Sequence, residues 1–446
     1  MPQAAPSGAA GWPVHEPTGR FGERFLYAEA LIGNGESRGP RDAERGPRGR
    51  RPRMVRPALH EEHSVTNPAI FASAFAPHLG GVEELVRQLA VEQRLRGART
   101  VVVTNRWPRA LDARETVDGI PVLREALRFP GSGWRSWAGF LADSRAVSRR
   151  LLHELRSAGT DLVHVQCVSN NGLYALRAAR QLGVPLVVTM QGELTMDADR
   201  IYEHNPYLRH VWRRVLDAAD VITACSDFSL REAEQVYGKP FGDRARVIYN
   251  GIRLAEFERL EPERRDRPYV LGLGRMVRQK GMDLLLEAYA GLDTECDLVL
   301  AGDGPVRPDL EAQAASLGVR DRVHFLGGVD HRRALALFAG AEVFVLPSRH
   351  EPQGIVLLEA LAAGTPVLAA RVGGVPEVVH DGETGALFEG GNAIDLRRRL
   401  NQLLAEPDLR RTLRARGPTH AKNFSWAAIA DEYEDCYEKA TAAART

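Results

Sequence analysis

The chain has 446 residues, 44% hydrophobic and 26% charged, with 59 basic against 58 acidic side chains. That length and apolar content suit two globular domains of ordinary size, and the even charge balance argues against a nucleic-acid partner. The cysteines Cys167, Cys225, Cys296 and Cys436 lie apart, without C-x-x-C or metal-ligand spacing. With no signal-peptide pattern and no apolar run of about 18 residues, a cytoplasmic location is expected.

Arg38, Arg41, Arg45, Arg48, Arg50, Arg51, Arg53 and Arg56 crowd a Pro/Gly-rich stretch opposed only by Asp42 and Glu44. Residues 1–66 lack apolar periodicity, so a disordered basic extension is expected there. It has the charge to touch acidic lipid headgroups at a membrane surface, or RNA, but a dispensable tail is the simpler reading. A chain starting at Met54 is expected to keep the fold.

From residue 68 onward, strand-like and helix-like segments alternate, which predicts parallel sheets covered by helices. The first strand candidate is Pro68–Phe75, followed by a Pro77–Gly81 turn and an amphipathic helix from Val82 to about Leu95. Further candidates are Thr100–Thr104, Leu162–Val165, Pro185–Met190, Val221–Ala224 and Arg246–Tyr249, and the segment Arg106–Pro130 reads as irregular. A second alternation runs through Tyr269–Gly274, Asp297–Ala301, Val323–Leu326, Ala341–Leu346 and Pro366–Ala369. Asn250-Gly251 and the charged connector Glu261–Arg267 separate the halves. The last stretch, from Phe424 to about Ala443, reads as one long helix.

The densest chemistry lies in Arg349-His350-Glu351-Pro352-Gln353-Gly354-Ile355, continuing to Glu359. A buried strand turning through Pro and Gly into a helix presents free N–H groups, including those near Gly354 and Ile355, and the positive end of the helix dipole. Both suit a phosphate. Glu351 and Glu359 flank that point, within reach of the hydroxyls of a sugar nucleotide. A simple helix cap is one alternative. A glycosidase pair is another, although such carboxyls sit about 5–5.5 Å apart and eight helical residues span about 12 Å. Gly274-Arg275 and Lys280-Gly281 lie beyond another strand end, where open α/β sheets bind ligands. In the first half, Gly80-Gly81 allows close backbone approach. No G-x-G-x-x-G follows the first strand, which argues against a simple dinucleotide enzyme.

Glu351 to Glu359 resembles the E-x7-E motif of family-four retaining glycosyltransferases, and the likeness extends through most of residues 68–443. The resemblance implies the GT-B fold, two Rossmann-like α/β domains facing across a cleft. With the segment pattern, this gives a disordered basic extension at 1–66, an acceptor-binding domain at 67–250, a nucleotide-sugar domain at 251–423 and, as the resemblance implies, a helix crossing back at 424–446. It assigns Glu351 to the donor sugar, Glu359 to the ribose, and Arg275 and Lys280 to the diphosphate. Backbone near Gly328 and Val329 would meet the nucleobase, Gly80 and Gly81 would face the diphosphate, and Gly302-Asp303-Gly304-Pro305 would act as scaffold. Gly373-Gly374-Val375-Pro376-Glu377 reads as a tight turn and helix start, with Glu377 unassigned.

Two positions depart from the family pattern. Gln353 stands where an aromatic is usual. Gln191 stands where many relatives have a His, so a neutral amide is expected to contact the donor instead, with His164 and Glu193 nearby. Asp197-Ala198-Asp199 matches the metal-binding D-x-D of the other major glycosyltransferase fold, a chance match in a polar loop, and no cofactor or essential metal is expected. The implied reaction moves a sugar, with retention, from a nucleoside diphosphate (UDP preferred) to a hydroxyl of a lipid-linked sugar, small metabolite or glycan. A nucleotide-sugar epimerase and a catalytically silent binding subunit are the competing readings.

Overall fold

The computed structural model describes residues 65–78, 80–130, 134–194 and 201–444. Most of the basic extension therefore lies outside the described residues, as do Asp197 and Asp199.

The first sheet comprises β1 (Pro68–Ala72), β2 (Val101–Asn105), β3 (Arg114–Val117), β4 (Ile120–Glu125), β5 (Leu162–Gln166), β6 (Leu186–Met190), β7 (Val221–Ala224) and β8 (Ala245–Val247). Its order is β3-β4-β2-β1-β5-β6-β7-β8. Every pairing is parallel except β3 with β4. The second sheet comprises β9 (Tyr269–Leu273), β10 (Asp297–Ala301), β11 (Val323–Gly327), β12 (Val343–Leu346), β13 (Val367–Ala370) and β14 (Ala386–Phe388). It is wholly parallel, in the order β11-β10-β9-β12-β13-β14.

The apolar runs read as strands because both sheet faces are buried. Successive side chains point to opposite faces: Phe71 enters one core of the first sheet and Ile70 the other. In the second sheet Val270 and Leu271 divide in the same way. Burying each such Val, Leu or Ile contributes about 1.5–3 kcal/mol. The chain order reverses on either side of β1 in one sheet and of β9 in the other. Open sheets leave a crevice at such points. The loops after β1, β5, β9 and β12 are thereby placed to form a site.

The irregular reading of Arg106–Pro130 is corrected. Within it β3 and β4 form a hairpin whose two-residue turn, Asp118-Gly119, has φ values of 51° and 76°. Asp-Gly is a strong signal for this turn. The polar edge strand Arg-Glu-Thr-Val masked it, because only its partner strand alternates buried and half-buried residues.

The chain crosses between the domains twice. After the second domain, the helix Trp426–Ala443 buries Trp426, Ile429, Tyr433 and Tyr437 in the first-sheet core that also holds Leu85 and Leu89 of the helix Gly81–Leu95.

Candidate active site

At the carboxyl end of β12 the chain turns into the helix Ile355–Ala362. Gly354 makes the turn at φ 89°, a left-handed conformation that disfavours any residue with a Cβ. Glu351 is buried here. Its Oε2 accepts from Lys280 Nζ at 2.7 Å and from Ser348 Oγ at 3.0 Å. Its carbonyl accepts from Gly374 N–H at 3.0 Å. Lys280 ends a short 3-10 turn, Arg278–Lys280. Arg349 binds the two loops together: its N–H donates to the Gln279 carbonyl at 2.7 Å. Its guanidinium reaches the Arg278 carbonyl at 3.0 Å and takes both oxygens of Asp283 at 2.7 Å.

Arg275 follows β9. The Gly302–Gly304 turn holds its loop, with Met276 N–H donating to the Asp303 carbonyl at 2.8 Å. A Cβ on Gly302 would lie 2.0 Å from the Gly274 carbonyl oxygen, so glycine permits this contact. The Arg275 side chain is exposed and forms no ion pair with the described residues, leaving its charge available to an anion.

Glu359 lies on the Ile355–Ala362 helix, its Oε1 3.8 Å from His331 Nδ1. His331 Nε2 lies 2.8 Å from Glu256 Oε2. Burial raises the Glu359 carboxyl to about 7; His331 opposes that rise, while Glu256 and Glu84 add to it. Hydrogen bonding to Glu256 raises His331, against a smaller desolvation effect. Glu351 and Glu359 thus belong to separate clusters rather than to one shared acid/base pair. Gly328 and Val329, exposed and half-buried, follow β11 and lead into the His331–Gly340 helix.

On the first domain, Gly81 begins the helix Gly81–Leu95 just after Gly80, and a Cβ on Gly81 would lie 3.8 Å from Ile355 Cδ1. The amino ends of helices from both domains therefore meet at this point. Gly192, at φ 79°, approaches Pro352 so closely that a Cβ would fall 2.2 Å from its Cγ. Gln191 is 9% exposed, with its carboxamide on Gln166 and Asn250. A donor hydroxyl would find only the second lone pair of its oxygen. Glu193 turns back to accept from the N–H groups of Gln191 at 2.7 Å and Val168 at 3.2 Å. Burial raises its carboxyl above the usual range, and those N–H groups pull it back. His164 is fully buried between Tyr437 and Thr189, and burial drives it to about 3, so it is a neutral core residue.

Four residues with no assigned role in the sequence reading hold this arrangement: Arg349, His331, Asn250 and Glu377. Glu377 accepts from the N–H groups of Asp227 and Phe228 at 2.8 and 3.0 Å, capping the first-domain helix Asp227–Tyr237 from the second domain. Each stands in or beside a segment the sequence singles out, but the partners of Asn250 and Glu377 lie on the other domain, so their roles had no local signal. Among the described residues no group of three or more His, Cys, Asp or Glu could hold a metal ion, and no helix is long and apolar enough to cross a membrane.

Residues 79–256 match the model for Glycosyltransferase Family 4, and residues 255–420 match that for Glycosyl transferases group 1. The D-inositol 3-phosphate glycosyltransferase of Xylanimonas cellulosilytica is 31% identical over 81% of this chain and 92% of its own. The chain belongs to glycosyltransferase family 4. The alpha-D-kanosaminyltransferase of Streptomyces kanamyceticus is also 31% identical, over 62% of this chain and 77% of its own. Among solved structures, sucrose-phosphate synthase from Thermosynechococcus elongatus superposes with a TM-score of 0.70 at 25% identity. That match covers 84% of this chain and all (100%) of the synthase. The Anabaena HepE protein in complex with UDP and glucose gives 0.67 at 22% identity, covering 83% and 98% of the two chains, and so supports the fold. This glycosyltransferase has the GT-B architecture, and neither the epimerase reading nor the silent-subunit reading gains support from these relatives.

Proposed function

We propose that this glycosyltransferase moves a sugar from UDP to an acceptor hydroxyl with retention at the anomeric carbon. The observation that carries the reading is the 2.7 Å contact between Lys280 and Glu351 at the mouth of the Ile355–Ala362 helix. A cation suited to diphosphate and a carboxylate suited to sugar hydroxyls stand side by side, as the two sides of a sugar–phosphate bond require. Arg275, Lys280 and the N–H groups at Gly354 and Ile355 would stabilise the departing diphosphate. Glu351 would hold the sugar and Glu359 the ribose, with Gly328 and Val329 at the base and Gly80 and Gly81 opposite the phosphates.

Attack on the face that the diphosphate leaves lets the leaving oxygen accept the acceptor's proton, so no protein base is needed. Two cations at the phosphates make a divalent metal dispensable. The acceptor, a lipid-linked sugar, small metabolite or glycan hydroxyl, would enter from the first domain, with the enzyme in the cytoplasm. The UDP complex of HepE supports the choice of nucleotide.

A thermal-shift screen of nucleotides and nucleotide sugars tests the donor, since a ligand at one hundred times its Kd stabilises the fold by about 2.7 kcal/mol. UDP and one UDP-sugar are expected to stand out. Stabilisation by another nucleotide alone, or a product of inverted anomeric configuration by NMR, overturns this reading.

A further inference from the structure

The two crossings between the domains lie side by side. Ile252 N–H donates to the Phe424 carbonyl at 2.8 Å, and Trp426 N–H donates to the Ile252 carbonyl at 3.1 Å. Asn250 stands two residues before this bridge and is 5% exposed. Toward the first domain, its Nδ2 donates to Gln191 Oε1 at 3.0 Å and its Oδ1 accepts from Gln191 Nε2 at 3.1 Å. Toward the second, its backbone N–H donates to Gln353 Oε1 at 2.8 Å and its carbonyl accepts from Gln353 Nε2 at 3.1 Å. Gln166 extends the row by accepting from Gln191 Nε2 at 3.2 Å. All four residues are buried.

Each of the two Asn250 pairs is a closed ring with one bond in each direction. Such a pair fixes an angle as well as a distance, because rotating one amide plane against the other breaks one bond. Rotation at the hinge that moves Gln353 against Gln191 must therefore break a ring and leave a buried polar group unpaired, which is costly. Gln353 is not remote from the chemistry: it lies between Pro352 and Gly354, inside the loop that carries Glu351.

The two glutamines are also the two positions where this chain departs from the usual family pattern. An aromatic side chain at 353 offers nothing to the backbone of Asn250. A neutral imidazole at 191 carries its donor and acceptor on opposite sides of the ring and cannot close a two-point pair. The two departures answer one another through Asn250.

We propose that Asn250 is a positioning residue for the transfer reaction: with Gln191 and Gln353 it sets the angle between the Glu351 loop and the first-domain wall. The proposal rests on the reading of that loop as the donor site. It is tested in the full chain with Gln353→Met, which keeps the volume and removes both bonds. A second variant, Gln353→Glu, keeps an acceptor for the Asn250 N–H and serves if the first fails to fold. Fluorophores on Arg180→Cys and Glu383→Cys, both exposed, report the interdomain distance without interference from the native cysteines, which are all buried.

The expected result is a broader distance distribution and a kcat about tenfold lower, as loss of a hydrogen-bonded pair implies. UDP affinity by calorimetry and the KM for the donor should stay within about twofold of the parent, because Arg275 and Lys280, the two cations at the diphosphate, form no bond to the latch. An unchanged distance distribution overturns the proposal whatever happens to kcat, and so does loss of UDP affinity, which would make Gln353 a donor contact. If the parent itself does not bind UDP, the donor reading fails, and the distance measurement still decides whether the latch exists.

Discussion

On the second-domain wall of the cleft, Arg275, Lys280 and Glu351 bring three charged groups into neighbouring loops, with the ionisable Glu359 on the helix just beyond, whereas the wall opposite offers mainly glycines and carboxamides. Glu84 at the start of the first-domain helix faces Glu359 and His331 but is held by Arg87 and Gln88, and two other ionisable groups near the cleft are turned away. Glu193 is folded onto its own loop's N–H groups, and His164 is neutral in the core. Charge is thus concentrated where the diphosphate is proposed to bind. The opposite wall supplies close approach, through Gly81 against Ile355 and Gly192 against Pro352. In the proposed reaction the second domain would do the electrostatic work and the first would set distance and orientation.

The sharpest way to break that division is to compare one residue from each wall. Glu351→Ala is expected to lower turnover at saturating donor and acceptor by about a hundredfold or more, the scale of removing a charged group aimed at the reacting centre. If Gln191→Ala proves the deader enzyme, the roles of the two walls are inverted.

The two cations sharpen it further, since Lys280 is paired and Arg275, among the described residues, is not. Arg275→Ala and Lys280→Ala should each weaken UDP binding by about 10- to 100-fold in calorimetry, as expected for a lost charge-assisted contact. Only Lys280→Ala should also lower Tm, because it strips the buried Glu351 of its counter-charge. Equal Tm losses for both would mean that Arg275 has a structural partner in solution. On the other wall, Gln191→Ala should cost no more than about tenfold in turnover, the worth of neutral hydrogen bonds.

The smallest expected effect is a pH profile. Glu359 holds its proton up to about 7, against an ordinary 4.5. The proton it binds in the folded state stabilises the fold fully below about 4.5, and that contribution disappears as the pH rises through about 7. The proposed binding of ribose hydroxyls to this carboxylate would run the other way, strengthening as the pH rises through about 7. UDP affinity measured between about pH 5.5 and 8.5 should therefore rise a few-fold in the parent and stay flat in Glu359→Gln. The same rising slope in both would assign the titration to the terminal phosphate of UDP itself, because losing the His331 charge would weaken diphosphate binding instead.

Most strands could be read from the sequence because strands of a doubly covered sheet are nearly continuous apolar runs, as in Val101–Val103 or Leu298–Ala301. The hairpin at Arg114–Glu125 escaped because an edge strand needs no such run. The four charged residues of the second domain were legible because each sits in a loop at a strand's carboxyl end or on the helix just beyond it, where position alone suggests a ligand. Asn250 and Glu377 were not. Their partners lie 103 and 150 residues away in the chain, and no local pattern records a hydrogen bond that exists only once two domains have met. Gln353 was read as a lost aromatic; its gain, two bonds to the backbone of Asn250, shows only in the fold.

The helix Trp426–Ala443 has a consequence for how the protein is made. It completes a core of the first domain, burying Trp426, Ile429, Tyr433 and Tyr437 beside Leu85 and Leu89, yet it leaves the ribosome after the whole second domain. Until then the nascent first domain carries an open apolar face, a site for chaperones or for unwanted association. Completing the first-domain half of the cleft therefore waits until this helix, beyond the second domain, has been made. A chain stopped early within that helix would lose the older domain's core before it lost any residue of the younger one.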